Sequence, residues 1–207
     1  MPLVCLVDYG AGNLHSAARG LERAAPSADH RVEVSDDPAV IRDADRIVLP
    51  GVGAFASCAA GLRARPGLED AILQAVGEGG RPFLGICVGM QLLASVGLEH
   101  ERTQGLDLVP GVVRPMSTGA LRKPHMGWND VDASADHPLL PADGDAYFVH
   151  SFVFEPEDAT DVIATTTYGE TFPAAIARGT VAGAQFHPEK SGAYGQAFLR
   201  NFLEWRP

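Results

Sequence analysis

The chain has 207 residues, of which 46% are hydrophobic and 20% charged, and its formal net charge is −10. This length and composition are typical of a globular protein that needs no disulfide or structural metal, and we expect one domain over residues 1–207. The negative charge argues against nucleic acid or an anionic membrane as the main partner. The N-terminus lacks a signal-peptide pattern and no apolar run approaches ~20 residues, so we expect a cytoplasmic protein.

The first half of the chain alternates short apolar runs with helical patterns. Strands are predicted at 3–8, 30–35, 46–51 and 81–87, and helices from residue 13, over 68–80 and over 88–97. After residue 100 short β-prone segments dominate, and an amphipathic helix is predicted at 192–205. This order predicts an α/β fold with an open, mostly parallel mixed sheet, helices on both faces, and antiparallel strands from the C-terminal half at its margin.

The segment DYGAGNLHS follows the first strand and precedes a helix, as a dinucleotide-binding fingerprint does. A G-x-G-x-x-G match that begins at Gly10 requires glycine at position 15, where the chain has His15. The glycines are therefore interpreted as a tight turn, and we predict no cofactor. Tyr9 and Asn13 would then form a polar rim at the carboxyl end of the strand, where sheets of this class bind ligands.

The segment PFLGICVGMQ places Cys87 between Gly85 and Gly89 at a predicted strand-to-helix junction. This is the nucleophile elbow G-x-S-x-G with cysteine in place of serine, a strained turn in which flanking side chains would collide. The helix that follows would favour the thiolate form of the cysteine. The alternative is a buried structural thiol with packing glycines, which is the interpretation we adopt for Cys5 and Cys58.

A thiolate nucleophile needs a base with an orienting group, and the segment AQFHPEKS supplies both. His187 ends a β-prone run, Pro188 restricts the backbone, and Glu189 is two residues away. The alternatives are an ordinary surface turn or a metal site. A metal site would need three or four ligands at a recognisable spacing, which this segment lacks.

A third motif, LPGVGAF, ends the strand that we expect beside the elbow strand. Its glycines leave backbone N–H groups available to a ligand. The segment Gly51, Val52 and Gly53, with the Val88 N–H, would form an oxyanion hole. A plain turn is the alternative.

In order, PGVG, GICVGMQ and FHPE resemble the motifs of the class I (triad-type) glutamine amidotransferases over nearly the whole chain. Further segments are similar to those of the glutaminase subunits of imidazole glycerol phosphate synthase: DYGAGNLHS, PHMGWN, YFVHSF and FHPEKSG. The resemblance implies a single glutamine amidotransferase domain over 1–207, without a fused synthase domain. The alternatives are a glutaminase subunit of another amidotransferase, another cysteine hydrolase of this fold, and a non-catalytic subunit.

Residue by residue, the resemblance implies Cys87 as nucleophile, His187 as general base and acid, and Glu189 as its orienting partner. It implies that Gln91 and Glu99 bind the polar end of L-glutamine, that Ser151 and Phe152 add backbone contacts, and that Gly51, Val52, Gly53 and Val88 surround the oxyanion. No metal or cofactor is implied.

The resemblance also implies a heterodimer with a (β/α)₈-barrel cyclase subunit, HisF, which would receive the ammonia. In that family the cyclase converts PRFAR to imidazole glycerol phosphate and AICAR, in histidine biosynthesis. Asn13, Trp128, Tyr147 and Lys190 would lie at or near the interface. Their alternative roles are those of a turn residue, aromatic core residues and a solvated lysine.

Overall fold

The computed structural model describes residues 1–27, 30–142 and 144–207. The N-terminal half contains β1 (Leu3–Val7), α1 (Leu14–Ala24), β2 (Arg31–Ser35), α2 (Pro38–Asp43), β3 (Arg46–Gly51), α3 (Phe55–Arg63), α4 (Leu68–Gly77), β4 (Phe83–Cys87) and α5 (Val88–Gln91). The remainder contains β5 (Val96–Gly97), β6 (Thr103–Gln104), β7 (Gly111–Pro115), β8 (His125–Ala133), β9 (Gly144–His150), β10 (Phe152–Pro156), β11 (Val162–Tyr168), β12 (Glu170–Arg178), β13 (Val181–Ala184) and α6 (Gly192–Glu204).

The main sheet has nine strands in the order β2-β1-β3-β4-β13-β12-β11-β8-β9. Its first five strands are parallel, and the other four, all from the C-terminal half, are antiparallel to their neighbours. All residues of β3, β4 and β13 are buried. Because successive side chains of a strand point to opposite faces, both faces of this central region are covered. The predicted mixed α/β sheet class is confirmed.

Three features differ from the sequence prediction. The strands β10, β7, β5 and β6 form a separate four-stranded sheet rather than joining the margin of the main sheet. The helices α2 and α3 were not predicted. The helix expected over 88–97 ends at Gln91, because Val96 and Gly97 pair with β6 and β7 instead. In an apolar segment that is buried on every side, hydrophobic periodicity does not distinguish a continuing helix from a short strand.

The longest helix among the described residues is α6, with 13 residues. No helix in this part of the chain combines the length and the apolar character needed to cross a membrane.

Two glycines let α5 pack directly on the ends of β3 and β4. A Cβ atom on Gly89 would collide with the carbonyl oxygen of Leu49, and one on Gly85 would collide with the backbone of Gly89. Neither clash is relieved by a side-chain movement, because both partners are backbone atoms. Cys87, between them, has φ of 55°, a left-handed conformation that non-glycine residues rarely adopt. This is the strained strand-to-helix turn that the sequence predicts.

We expect Gly89→Ala to destabilise the protein by about 2–3 kcal/mol, because its methyl group displaces α5 from β3. The matched control is Gly77→Ala, at the end of α4, where a Cβ meets no atom within 4 Å and φ is not positive. That variant should gain up to about 1 kcal/mol. Urea unfolding gives both values, and equal stabilities would contradict the packing account.

Candidate active site

The candidate site lies where three neighbouring parallel strands end. β3 ends at Gly51, which pairs with Cys87 at the end of β4, and β13 leads into His187 three residues after its last residue. Carboxyl ends of adjacent parallel strands share one edge of the sheet. The fold therefore brings together three motifs that are separated by up to 138 positions in the sequence, from Leu49 to His187.

Cys87 is almost fully buried, with 3% of its surface exposed. The Nε2 atom of Gln185 lies 3.8 Å from the Cys87 sulfur, and the carbonyl oxygen of Val149 lies 4.0 Å from it. Because α5 has only four residues, its dipole is smaller than the sequence prediction assumed. Stabilisation of a thiolate therefore depends more on the neighbouring side chains.

His187 and Glu189 form a buried pair beside the thiol. Nδ1 of His187 donates to Oε1 of Glu189 at 2.9 Å, and both side chains are 3% exposed. Burial disfavours the imidazolium, but the Cys87 and Glu189 side chains outweigh it and raise the pKa of His187 from its ordinary 6.5 to about 9. The ring is therefore protonated at neutral pH and can give a proton to a leaving group.

Backbone contacts hold this histidine in place. His187 N donates to the carbonyl oxygen of Tyr147 at 2.9 Å, and Ser191 Oγ donates to the His187 carbonyl oxygen at 2.7 Å. The other ring nitrogen, Nε2, is buried and has no hydrogen-bond partner among the described residues. The close approach of α1 to Glu189 depends on Gly20, where a Cβ atom would lie 2.9 Å from the Glu189 Cβ.

A pocket of about 190 Å³ opens above the thiol. Its lining contains most of the residues that the sequence analysis assigned to the nucleophile, base and substrate: Val52, Gly53, Cys87, Val88, Gln91, Glu99, Ser151, Phe152 and His187. Gly51 lies in a small adjoining groove with Asn13 and Glu189. The pocket also contains Val149 and His150, which were not predicted although both lie in the YFVHSF segment.

Two of the lining residues accept hydrogen bonds from residues outside the pocket lining. Oε2 of half-buried Glu99 accepts from the Phe55 N–H, at the start of α3, over 2.6 Å. The carbonyl oxygen of Val52 accepts from the Cys58 thiol at 3.4 Å. Glu99 thus contributes a carboxylate to the pocket lining, and Gln91 contributes a buried carboxamide. A pocket with a carboxylate suits a ligand that has an ammonium group.

Three of the four predicted interface residues lie against one another. Trp128 and Tyr147 are cross-strand partners on β8 and β9, with 6.2 Å between ring centroids, and Lys190 Nζ lies 5.9 Å from the Tyr147 centroid. Trp128 is 58% exposed, which is unusual for its size. Asn13 lies apart from them and caps α1, where its Oδ1 accepts from Ser16 N at 3.3 Å.

Within residues 1–27, 30–142 and 144–207, no group of three or more His, Cys, Asp or Glu side chains is arranged to hold a metal ion. Cys5, Cys58 and Cys87 are buried thiols that form no disulfide.

Solved structures with the same fold include one described as a glutamine amidotransferase, at a TM-score of 0.74 and 20% identity, with 97% of each chain covered. Another is described as PurLQS from Thermotoga maritima, at a TM-score of 0.71 and 23% identity, with 98% of each chain covered. At these identities the likeness concerns the fold alone.

The sequence comparisons are more specific. A family model described as glutamine amidotransferase class-I matches residues 5–205. The protein named imidazole glycerol phosphate synthase subunit HisH from Zymomonas mobilis is 51% identical, over 99% of this chain and 96% of its own. Proteins of the same name from Agrobacterium fabrum and Caulobacter vibrioides are each 49% identical, with at least 99% of both chains covered. The chain therefore belongs to the class I glutamine amidotransferase family and, within it, to the HisH subunits of imidazole glycerol phosphate synthase.

Proposed function

We propose that this chain is the glutaminase subunit of imidazole glycerol phosphate synthase and that Cys87, His187 and Glu189 are its catalytic triad. The observation that carries the proposal is the buried His187–Glu189 pair next to a cysteine held in a strained turn at the base of a pocket. A structural thiol would need neither the turn nor the charged pair. The full-length identity to HisH subunits favours this synthase over another amidotransferase or an unrelated cysteine hydrolase.

In the first step, the Cys87 thiolate attacks the side-chain amide carbon of L-glutamine. The oxygen that gains negative charge is stabilised by the Val88 N–H and by the segment Gly51, Val52 and Gly53. The tetrahedral intermediate collapses, the C–N bond breaks, and the His187 imidazolium protonates the nitrogen, which leaves as ammonia.

In the second step, the neutral imidazole of His187 takes a proton from water, which attacks the thioester carbon and releases glutamate and the thiolate. Glu189 stabilises the imidazolium that forms again. Glu99 and Gln91 hold the amino-acid end of the substrate, and Ser151 and Phe152 supply backbone contacts. No cofactor takes part.

The ammonia goes to a (β/α)₈-barrel cyclase subunit, HisF, which forms a heterodimer with this chain in the cytoplasm and converts PRFAR to imidazole glycerol phosphate and AICAR. Ammonia crosses uncharged, because desolvation penalises ammonium in an apolar passage. The exposed Trp128, with Tyr147 and Lys190, forms the docking surface together with Asn13 at the start of α1. The whole of 1–207 acts as one glutamine amidotransferase domain.

The decisive experiment compares Cys87→Ala with the unaltered chain in complex with the cyclase subunit. We expect loss of glutamine-dependent synthesis and retention of ammonia-dependent synthesis, because only the source of ammonia is removed. Product formation from PRFAR is measured with glutamine and with ammonium salt. Cys5→Ala is the matched control, since that buried thiol lies in β1 and outside the pocket lining, and it should keep glutamine-dependent activity. Survival of that activity in Cys87→Ala would exclude Cys87 as nucleophile.

Glu189→Gln should move the alkaline limb of the pH–activity profile to lower pH. The carboxylate helps to raise the pKa of His187 to about 9, so that the imidazolium is present below that pH and lost above it. Without the negative charge the proton is lost earlier, and kcat should fall about 100-fold or more. The pH profiles of kcat and of kcat/KM for glutamine, recorded with the complex, measure both effects. An unshifted alkaline limb would contradict the assigned role of Glu189.

Trp128→Ala should weaken binding to the cyclase subunit by about 2 kcal/mol, roughly 30-fold in Kd, because a large exposed aromatic side chain is lost from the docking surface. Val34→Ala is the matched control: Val34 is 44% exposed on β2, at the opposite margin of the sheet from β9. Titration calorimetry measures both affinities. Equal affinities would place the interface elsewhere.

A further inference from the structure

A buried carboxamide connects the sulfur of Cys87 with the wall of the pocket. Gln185 follows β13, is 0% exposed, and is surrounded by the core. A polar side chain at such a position costs free energy unless its groups are hydrogen-bonded. Both ends of this one have partners, Cys87 and Gln91, and both partners belong to the proposed reaction.

The orientation of each carboxamide follows from one fixed acceptor. Gln91 lies 3.1 Å from the carbonyl oxygen of Phe152, which can only accept, so Gln91 must direct its NH₂ group there. The same nitrogen lies 3.0 Å from the Gln185 side chain. Gln185 must therefore present its oxygen to Gln91, which leaves its own NH₂ group directed at the Cys87 sulfur, 3.8 Å away.

The Phe152 carbonyl oxygen, the acceptor at the start of this series of hydrogen bonds, has a second donor. The carbonyl oxygen of Phe152 also accepts from Nδ1 of His150 at 2.9 Å. Burial lowers the pKa of His150 from its ordinary 6.5 to about 4, so the ring is neutral near pH 7 and its single proton stays on Nδ1. The Phe152 carbonyl oxygen thus accepts hydrogen bonds from both His150 and Gln91. If the Gln91 carboxamide were reversed, its N–H donor would lose this acceptor and remain unpaired.

This arrangement has a consequence for the substrate pocket. Both N–H bonds of the Gln91 carboxamide are used, one by Phe152 and one by Gln185. What remains for a ligand is the Gln91 oxygen, a hydrogen-bond acceptor. An acceptor matches the N–H groups of glutamine.

We propose that Gln185 is a positioning residue that holds Gln91 as a hydrogen-bond acceptor for glutamine and donates a hydrogen bond to the Cys87 sulfur. The proposal rests on the proposed function for its substrate and its nucleophile. It assigns to Gln185 two separable effects: one on glutamine binding, exerted through Gln91, and one on the reactivity of the thiol.

The test uses Gln185→Met, which has a similar length but neither the N–H donor nor the carboxamide oxygen. In the complex with the cyclase subunit, we expect the KM for glutamine to rise roughly 10-fold, as for a lost buried hydrogen bond, and kcat to fall. In the chain alone, alkylation of Cys87 by iodoacetamide, followed by peptide mass spectrometry, should shift to higher pH. Gln196→Met, on α6 and away from the pocket lining, is the matched control and should leave KM, kcat and the alkylation profile unchanged.

A double-mutant cycle tests whether Gln185 acts through Gln91. If it does, Gln185→Met should raise KM no further in a Gln91→Met background, whereas the shift in alkylation should persist there. Multiplicative effects on KM would overturn the positioning role. Unchanged KM and an unchanged alkylation profile in Gln185→Met would overturn the whole proposal.

Gln185→Glu keeps the shape and an oxygen that accepts from Gln91, so its KM should stay below that of Gln185→Met. Its carboxyl group replaces the N–H donor beside the buried Cys87 sulfur, so alkylation should still shift to higher pH. Circular dichroism and a thermal melt check that both variants fold. A KM as high as that of Gln185→Met would contradict the role of the oxygen.

The alkylation measurement needs no glutamine, so it separates this inference from the proposed function. If the unaltered complex fails to use glutamine while Gln185→Met still shifts the alkylation profile, the proposed function fails and the contact with sulfur stands. If the unaltered complex uses glutamine and Gln185→Met behaves like Gln196→Met, only the inference about Gln185 fails.

Discussion

The arrangement of the site depends on one close backbone contact, between Gly89 in α5 and the carbonyl oxygen of Leu49 in β3. Only a residue without a Cβ atom allows this approach, and Gly51 repeats the constraint from the other side, since a Cβ there would lie 2.6 Å from the Gly89 nitrogen. The turn between β4 and α5 is thereby pressed onto the end of β3. Cys87 has to adopt its left-handed conformation as a result, and its sulfur points into the pocket rather than into the core.

Burial then determines the chemistry of the thiol. The Cys87, His187 and Glu189 side chains are excluded from water almost completely, so their mutual electrostatic interactions are screened little. A lone imidazolium at such a place would be costly, but negative partners on both sides of the ring stabilise its charge. The short α5 contributes less than a full helix would. The charge state of His187 therefore depends on a residue about a hundred positions away in the sequence, Cys87.

A continuous set of hydrogen bonds connects the pocket to the strand that carries Trp128. Asn129 Nδ2 lies 3.3 Å from Nε2 of His125, whose Nδ1 lies 3.1 Å from Nε2 of His150, and His150 contacts the Phe152 carbonyl oxygen. Each ring has one donor and one acceptor in the neutral form, so the series is satisfied in a single direction. The buried polar groups of this region satisfy one another, which fixes the pocket wall relative to β8.

The sequence by itself determined the local features: the strand that ends at Cys87, the glycines at its flanks, and the short spacing of His187 and Glu189. These follow from steric and covalent limits that act within a few residues. Only the tertiary structure decided the position of Gly20 against Glu189, the early end of α5, the separate four-stranded sheet and the contact of Gln185 with both Cys87 and Gln91. The sequence that flanks Gln185 does not distinguish it from a solvent-exposed glutamine. Its role arises because strands β4 and β13 are neighbours, and that adjacency is set by the packing of the whole sheet rather than by any local pattern.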